Sequence, residues 1–200
     1  MKKSFLVFSF LTATVFVMAQ EATKQREVGL VFNNLDSFGI TYKTGTNQSM
    51  WRFNTMTISG NVANSKQDSS ESRNHQNGFY VEAGKEFRKL IAENFEFRYG
   101  ADLFFHYSKS KNDYNDKTVA NNDRILENSN YTPGINLVFG FNYIIHDKLV
   151  LGAEVMPYFS YYTTVSKVTP DDPNVDVIKR SGFSYGLSNS SAMLSVSYRF

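Results

Sequence analysis

Ionised side chains at alternate positions are the residues of this 200-residue chain with the most chemistry to offer. Glu82, Glu86 and Arg88 share one parity of their segment; Glu96, Arg98, Asp102 and His106 share one parity of another, and Glu154 stands in a third. Lys43, Arg52 and Arg199 fall into the same scheme. Acids and guanidinium groups at a period of two lie on one face of extended chain, where they can neutralise one another. His106 and Ser108 also share a parity, and an imidazole beside a hydroxyl is the start of a hydrolytic dyad. No acid follows at a spacing that would orient the histidine. The run Asp171-Asp172-Pro173-Asn174-Val175-Asp176 clusters oxygens that calcium favours, yet it lacks the spacing of a helical calcium loop and reads as a solvated loop. His75 and His146 stand alone, without the convergent partners a metal ion needs. The chain has no cysteine, and its glycines form no phosphate cradle. We therefore expect no cofactor, no metal and no catalytic residue.

The segments that carry these groups all alternate. Phe95 to Tyr107 puts Phe95, Phe97, Tyr99, Ala101, Leu103, Phe105 and Tyr107 on one face, and its polar face is interrupted only by Phe104. Leu137, Phe139, Phe141, Tyr143 and Ile145 repeat the pattern opposite Asn136, Gly140 and Asn142. Leu149 to Tyr161 and Phe79 to Glu86 do the same, which is the signature of strands. Val28 to Phe32, Phe38 to Tyr42, Ser49 to Ser59 and a last stretch ending at Phe200 bring the count to eight strands. Two phase breaks stand out. The apolar parity of Trp51 and Phe53 switches at Met56 and Ile58, and that of Phe183, Tyr185 and Leu187 switches near Ser188 to Ser191; both predict a bulge or irregularity.

The connections alternate as well. Links near Gly45 to Gln48, Lys89 to Asn94 and His146 to Lys148 are short. Links over Asn61 to Asn77, Ser108 to Asn130 and Thr164 to Arg180 are long, polar and expected to be loops. Tight turns at one end and longer excursions at the other are the wiring of outer-membrane barrels.

Direction decides between a soluble and a membrane barrel. Rings of Phe and Tyr would overfill an eight-stranded interior, which is only just wide enough for ordinary side chains. Facing lipid they meet no such limit. The regular stretches reach about 10–13 residues, whereas soluble strands run about 5–6 and a tilted membrane strand needs about 9–11. Lys85 alone interrupts the apolar face, and it lies close enough to a short turn to extend toward water. Aromatics gather near strand ends, as interfacial girdles do. The charged set then faces inward, in a lumen filled by side chains.

The N-terminus supplies an address. Lys2 and Lys3 precede an apolar run from Phe5 to Met18, and Val17-Met18-Ala19 offers small residues at a cleavage site. Residues 1–19 read as a signal peptide and residues 20–200 as one barrel domain. The two leader lysines account for the whole formal charge of +2. A neutral mature chain has no field to attract nucleic acid.

The last residues are Leu194-Ser195-Val196-Ser197-Tyr198-Arg199-Phe200, with apolar groups alternating up to a terminal Phe. This ending resembles the signal read by barrel-assembly machinery, with Tyr198 and Phe200 as its aromatic positions. With the leader and the strand count, the chain resembles the small eight-stranded outer-membrane proteins of diderm bacteria, the porin-like or OmpX-type group. The resemblance implies an all-β, antiparallel up-and-down transmembrane barrel, monomeric and set in outer-membrane lipid, with a closed polar interior. It implies no enzyme, but a role in envelope structure, surface interaction or adhesion through external loops that meet a ligand, or limited passage of small solutes. Two other readings stay open: a lipid-modifying hydrolase resting on His106 and Ser108, and a soluble periplasmic barrel with an apolar ligand.

Overall fold

The computed structural model describes residues 24–34, 37–67, 70–116, 124–169, 176–187 and 191–200. The leader and residues 171–175 of the oxygen-rich run lie outside the described residues. Ten strands follow in order: β1 (Lys24–Asn34), β2 (Ser37–Thr46), β3 (Ser49–Gln67), β4 (Ser70–Ala92), β5 (Phe95–Asp116), β6 (Arg124–Ile145), β7 (Leu149–Val155), β8 (Tyr158–Thr169), β9 (Asp176–Gly186) and β10 (Ala192–Arg199).

Every pairing is antiparallel. Consecutive strands pair from β1 to β7, β7 pairs with β10, and β10 returns to β1, which closes the ring. The outer half of β6 pairs with β8, and β8 with β9. Strands β7 and β8 are thus two lengths of one stave, β9 and β10 two lengths of another, and the barrel has eight staves. Over the turn-side half each stave is paired on both sides, which satisfies its backbone groups as a membrane crossing by strands requires. Among the described residues no helix is long and apolar enough to cross a membrane.

The stave expected to run unbroken from Leu149 to Tyr161 is interrupted at Met156 and Pro157, because proline has no N–H to give to the ladder. The surrounding bonds bridge the gap: Leu137 N donates to Pro157 O at 2.9 Å, and Met156 N to Ser191 O at 2.7 Å. β9 ends at Gly186 and β10 starts at Ala192; residues 188–190, where the second irregularity is expected, lie outside the described residues. The other phase break is a register shift between Thr55 and Thr57 in β3, where one extra residue enters the pairing with β4.

The long polar links are not the loops expected. β3 and β4 pair continuously out to Gln67 and Ser70, β5 and β6 out to Tyr114 and Arg124, and β8 and β9 out to Val168 and Asp176. His75, expected in a loop, sits in β4 opposite Val62 and Lys111. Beyond the bilayer both faces of a strand meet water, so pairing there needs no apolar alternation, and the periodicity that reveals a strand disappears. β4 is 23 residues long, and a membrane needs about 9–11 of them; the remainder projects. β1 and β2 stop at Asn34 and Ser37, well below their neighbours. The opposite end is closed by tight turns, with Asn94, His146 and Asp147 at positive φ (60°, 50° and 60°). Asn and Asp tolerate that conformation better than most residues. By the convention of outer-membrane barrels this is the periplasmic end.

The wall is inside out relative to a soluble protein. Leu30, Ile40, Leu103, Leu137 and Leu194 point outward and are exposed around the middle, flanked toward the turns by Trp51, Phe87, Phe141, Tyr143, Tyr198 and Phe200. A second aromatic band lies toward the outer end, with ring contacts linking Phe105, Phe79, Tyr107 and Tyr131 and, separately, Tyr161 and Phe183. Lys85 projects from this face with its ammonium over the rings of Trp51 (5.6 Å) and Phe87 (5.5 Å), an arrangement that suits an interfacial cation. A soluble barrel would put these rings inside. Here the interior holds charged side chains.

Candidate functional site

The inward positions of β1 to β7 and β10 converge on one axis, and their register stacks the charged groups in layers. The lowest layer, next to the turns, joins Arg88, Arg199, Glu27 and Glu96. Arg88 donates to both oxygens of Glu27, at 2.7 and 2.8 Å, and Arg199 Nε donates to Glu27 at 2.8 Å. Arg199 also reaches Glu96 at 3.3 Å, and Asn142 donates to the same carboxylate at 3.2 Å. Glu86 links this layer to the next: Arg88 bonds it from below, Lys43 Nζ donates to it at 3.1 Å, and Arg98 lies 3.5 Å away.

The upper layer centres on Arg52. Its two terminal nitrogens donate to the two oxygens of Glu154, both at 2.9 Å, the parallel fork that a guanidinium and a carboxylate make best. Arg52 Nε lies 3.1 Å from Asp102, and its Nη2 3.5 Å from Glu82. Arg98 pairs with the same Glu154 at 2.9 Å. Glu82 takes further donors from Asn54, from Tyr80 Oη (3.0 Å) and from Asn136 (3.0 Å). Arg52, Arg98, Glu86 and Asp102 are almost wholly buried. Such charges persist only when paired on several sides, because an unpartnered ion in this setting costs several kcal/mol.

Glycines make the packing possible. A methyl group at Gly152 would stand 2.3 Å from Ser195 Oγ and 2.9 Å from Arg98 Nη2, and one at Gly84 would stand 2.2 Å from Asp102 Oδ1. The inward glycines of the alternating pattern are the space into which their neighbours' long side chains lie.

The structure brings together Glu82, Glu86, Arg88, Glu96, Arg98, Asp102 and Glu154, and with them Lys43, Arg52 and Arg199. It leaves out His106. That residue faces inward but stands above the upper layer, its ring against Tyr80 (centroids 6.2 Å apart). Glu27 was missed by the sequence reading, although the parity of Val28 and Leu30 carried back one residue puts it on the inner face. Tyr198 and Phe200 stack on the outer wall beside the terminus, rings 6.5 Å apart. Among the described residues no group of three or more His, Cys, Asp or Glu is placed to hold a metal ion.

Above the charged layers the lumen widens into a cup of about 510 Å³. Tyr80, Asn136 and Met156 lie at its floor, and Phe104, His106, Thr132, Tyr158, Ser160, Tyr162 and Ser184 form its sides. Arg52 and its partners lie between this cup and the turn end.

No curated protein matches the chain in sequence. Among solved structures, a major outer membrane protein from Thermus thermophilus shares the fold, with a TM-score of 0.50 at 12% identity over 89% of this chain and 100% of that one. More distant likenesses are Ail, the attachment invasion locus protein of Yersinia pestis (TM-score 0.39, 16% identity, 90% of this chain and 100% of that one), and CarO of Acinetobacter baumannii (0.32, 10%, 88% and 96%). The sequence profile described as "Putative OmpA-OmpF-like porin family" matches residues 42–185, from inside β2 to the end of β9. A closed eight-stave barrel with an apolar exterior and that match over most of its length identify the chain as a member of this porin family of outer-membrane β-barrels.

Proposed function

We propose that this chain is a non-enzymatic outer-membrane barrel whose work is done at the cell surface, with a lumen shut to solutes. It is exported through residues 1–19, assembled through the Tyr198 and Phe200 ending, and acts as a monomer. The observation that carries the reading is the continuous ion-pair stack from Arg199 to Arg52 across the barrel axis. A pore needs a water-filled path; here guanidinium and carboxylate groups occupy its cross-section at two levels. What remains for interaction is the projecting outer part of staves β3 to β6, β8 and β9, which carries lysines, arginines and amides on both faces. The hydrolase reading loses its geometry, since His106 opens on the lumen and not on lipid.

Two measurements test this. In planar bilayers the folded protein should give no stepwise conductance, and reproducible unitary steps from it would contradict a closed lumen. On intact cells, trypsin should cleave near Lys66 and Arg73 at the projecting end and spare Lys89 and Lys148 at the turn end. The reverse pattern would remove the surface role.

A further inference from the structure

The cup above the charged layers has a lining unlike the rest of the lumen. Its lining carries aromatic rings from Tyr80, Phe104, Tyr158 and Tyr162, with His106, and between them hydroxyl and amide groups from Thr132, Asn136, Ser160 and Ser184. Among the described residues no lysine, arginine, aspartate or glutamate lines it. Glu82, which bonds two of the lining residues, is engaged by Tyr80, Asn136 and Asn54. At about 510 Å³ the cavity is large enough for a small organic molecule, within the roughly 300–1,000 Å³ that such sites occupy.

The rings are laid along the wall. Phe104 is paired with Gly134 on the next stave, and a methyl group there would stand 2.3 Å from Phe104 Cζ and 2.5 Å from its Cε1. Tyr162 is paired with Gly182, where a methyl group would stand 2.7 Å from its Oη, 2.9 Å from its Cζ and 3.1 Å from its Cε1. Each ring therefore lies against its neighbouring stave over a bare backbone, on the wall of the cavity. The Tyr80 and Phe104 rings are nearly parallel, centroids 5.5 Å apart and planes 22° apart, and line the cup together. Two polar ladders flank these rings. Tyr158 Oη shares a hydrogen bond with Ser184 Oγ at 3.4 Å, and Ser160 Oγ donates to Ser184 O at 3.3 Å. Asn136 donates to Tyr80 Oη at 3.0 Å.

Aromatic faces take the C–H side of a ligand, while hydroxyl and amide groups bond to its edge in either direction. The molecule that presents an apolar C–H face and an edge of hydroxyls, and carries no charge, is a saccharide ring. We propose that the cup is a binding site for an uncharged saccharide, one or two rings in size, stacked on Tyr162 or the Tyr80–Phe104 pair. An anionic or sulfated sugar would find no cation in this lining to offset its desolvation, which makes the site selective for neutral glycans. The site is new relative to the surface role above: its failure leaves that role standing, and open conductance would leave the site standing.

The test uses the full barrel in nanodiscs of zwitterionic lipid, since glycoside detergents would compete. Maltose, lactose and N,N′-diacetylchitobiose are titrated by calorimetry and by saturation-transfer NMR, beside a sulfated disaccharide, choline and adenosine. At least one neutral disaccharide should bind saturably while the sulfated sugar does not. Tyr162→Ala should weaken that binding about tenfold or more. Thr132→Val, which keeps volume and removes a hydroxyl, should weaken it several-fold with the heat-dependent gel shift of the folded barrel unchanged. Tyr185→Ala, on the outer wall, should leave it unaltered. Absence of saturable binding by all three neutral sugars would overturn the proposal. So would binding insensitive to both Tyr162→Ala and Thr132→Val, or saturable binding of choline or adenosine alone.

Discussion

The two halves of the long staves are built on one backbone and held by different forces. In the membrane half, Arg52 and Glu154 meet at 2.9 Å with side chains 1% and 2% exposed. In the projecting half, Lys66 and Glu71 meet at a similar 3.1 Å with side chains 72% and 35% exposed. Lys109–Glu127 and Lys111–Asp113 are comparable pairs of the outer half. The distances nearly agree, so distance does not distinguish them. What differs is the surrounding medium. A pair in water is screened and already solvated when broken, whereas each member of the buried set, once orphaned, is an ion with nothing to replace its partner. The lesson is that breaking a lumen pair should cost far more than breaking an equally short pair of the outer staves.

The largest effect should come from Arg52→Ala, which strips Glu154, Asp102, Glu82 and Glu86 of a shared cation. A loss of about 3–5 kcal/mol is expected, read by guanidinium unfolding in lipid vesicles and by a lower temperature for the heat-dependent gel shift. Arg98→Ala should follow closely. Unchanged unfolding of both would mean the lumen pairs carry no net weight. Next is Leu103→Arg, which sets a charge in the middle of the apolar wall and should cost about 2–4 kcal/mol. An equal or greater cost for Lys85→Ala would contradict this dependence on depth. Gly152→Ala pushes a methyl group against Ser195 and Arg98, for an expected loss of about 1–3 kcal/mol. Lys109→Ala, which removes a half-exposed pair of the outer half, should change stability by no more than about 1 kcal/mol. An effect as large as that of Arg52→Ala would erase the contrast between the halves.

The membrane half was legible in the sequence because hydrocarbon on one side and a packed lumen on the other impose a period of two. Phe139, Phe141 and Tyr143 against Gly140 and Asn142 could hardly face otherwise. The outer half was not legible, since Asn61 to Asn77 carries polar residues on both parities and pairing there leaves no mark on composition. Pro157 hides in the alternation because its side chain fits the apolar parity; its missing N–H matters only once neighbours are known. Phe104 broke the pattern of its segment, and the reason lies in Gly134, thirty positions away, over which its ring rests. The cup is therefore a property of cross-strand pairs. No single segment displays it. His106 shared the parity of the charged set, but parity fixes a face and not a height, and it stands a layer above them.

The most direct measurement uses the chain's one tryptophan, Trp51, which projects from the outer wall three residues beyond a short turn and is 52% exposed there. With the barrel refolded into vesicles, lipids brominated along the acyl chain near the headgroup should quench its fluorescence strongly, and aqueous iodide should quench it weakly. Quenching by iodide with indifference to brominated lipid would contradict an exterior of aromatic rings around an ionic lumen.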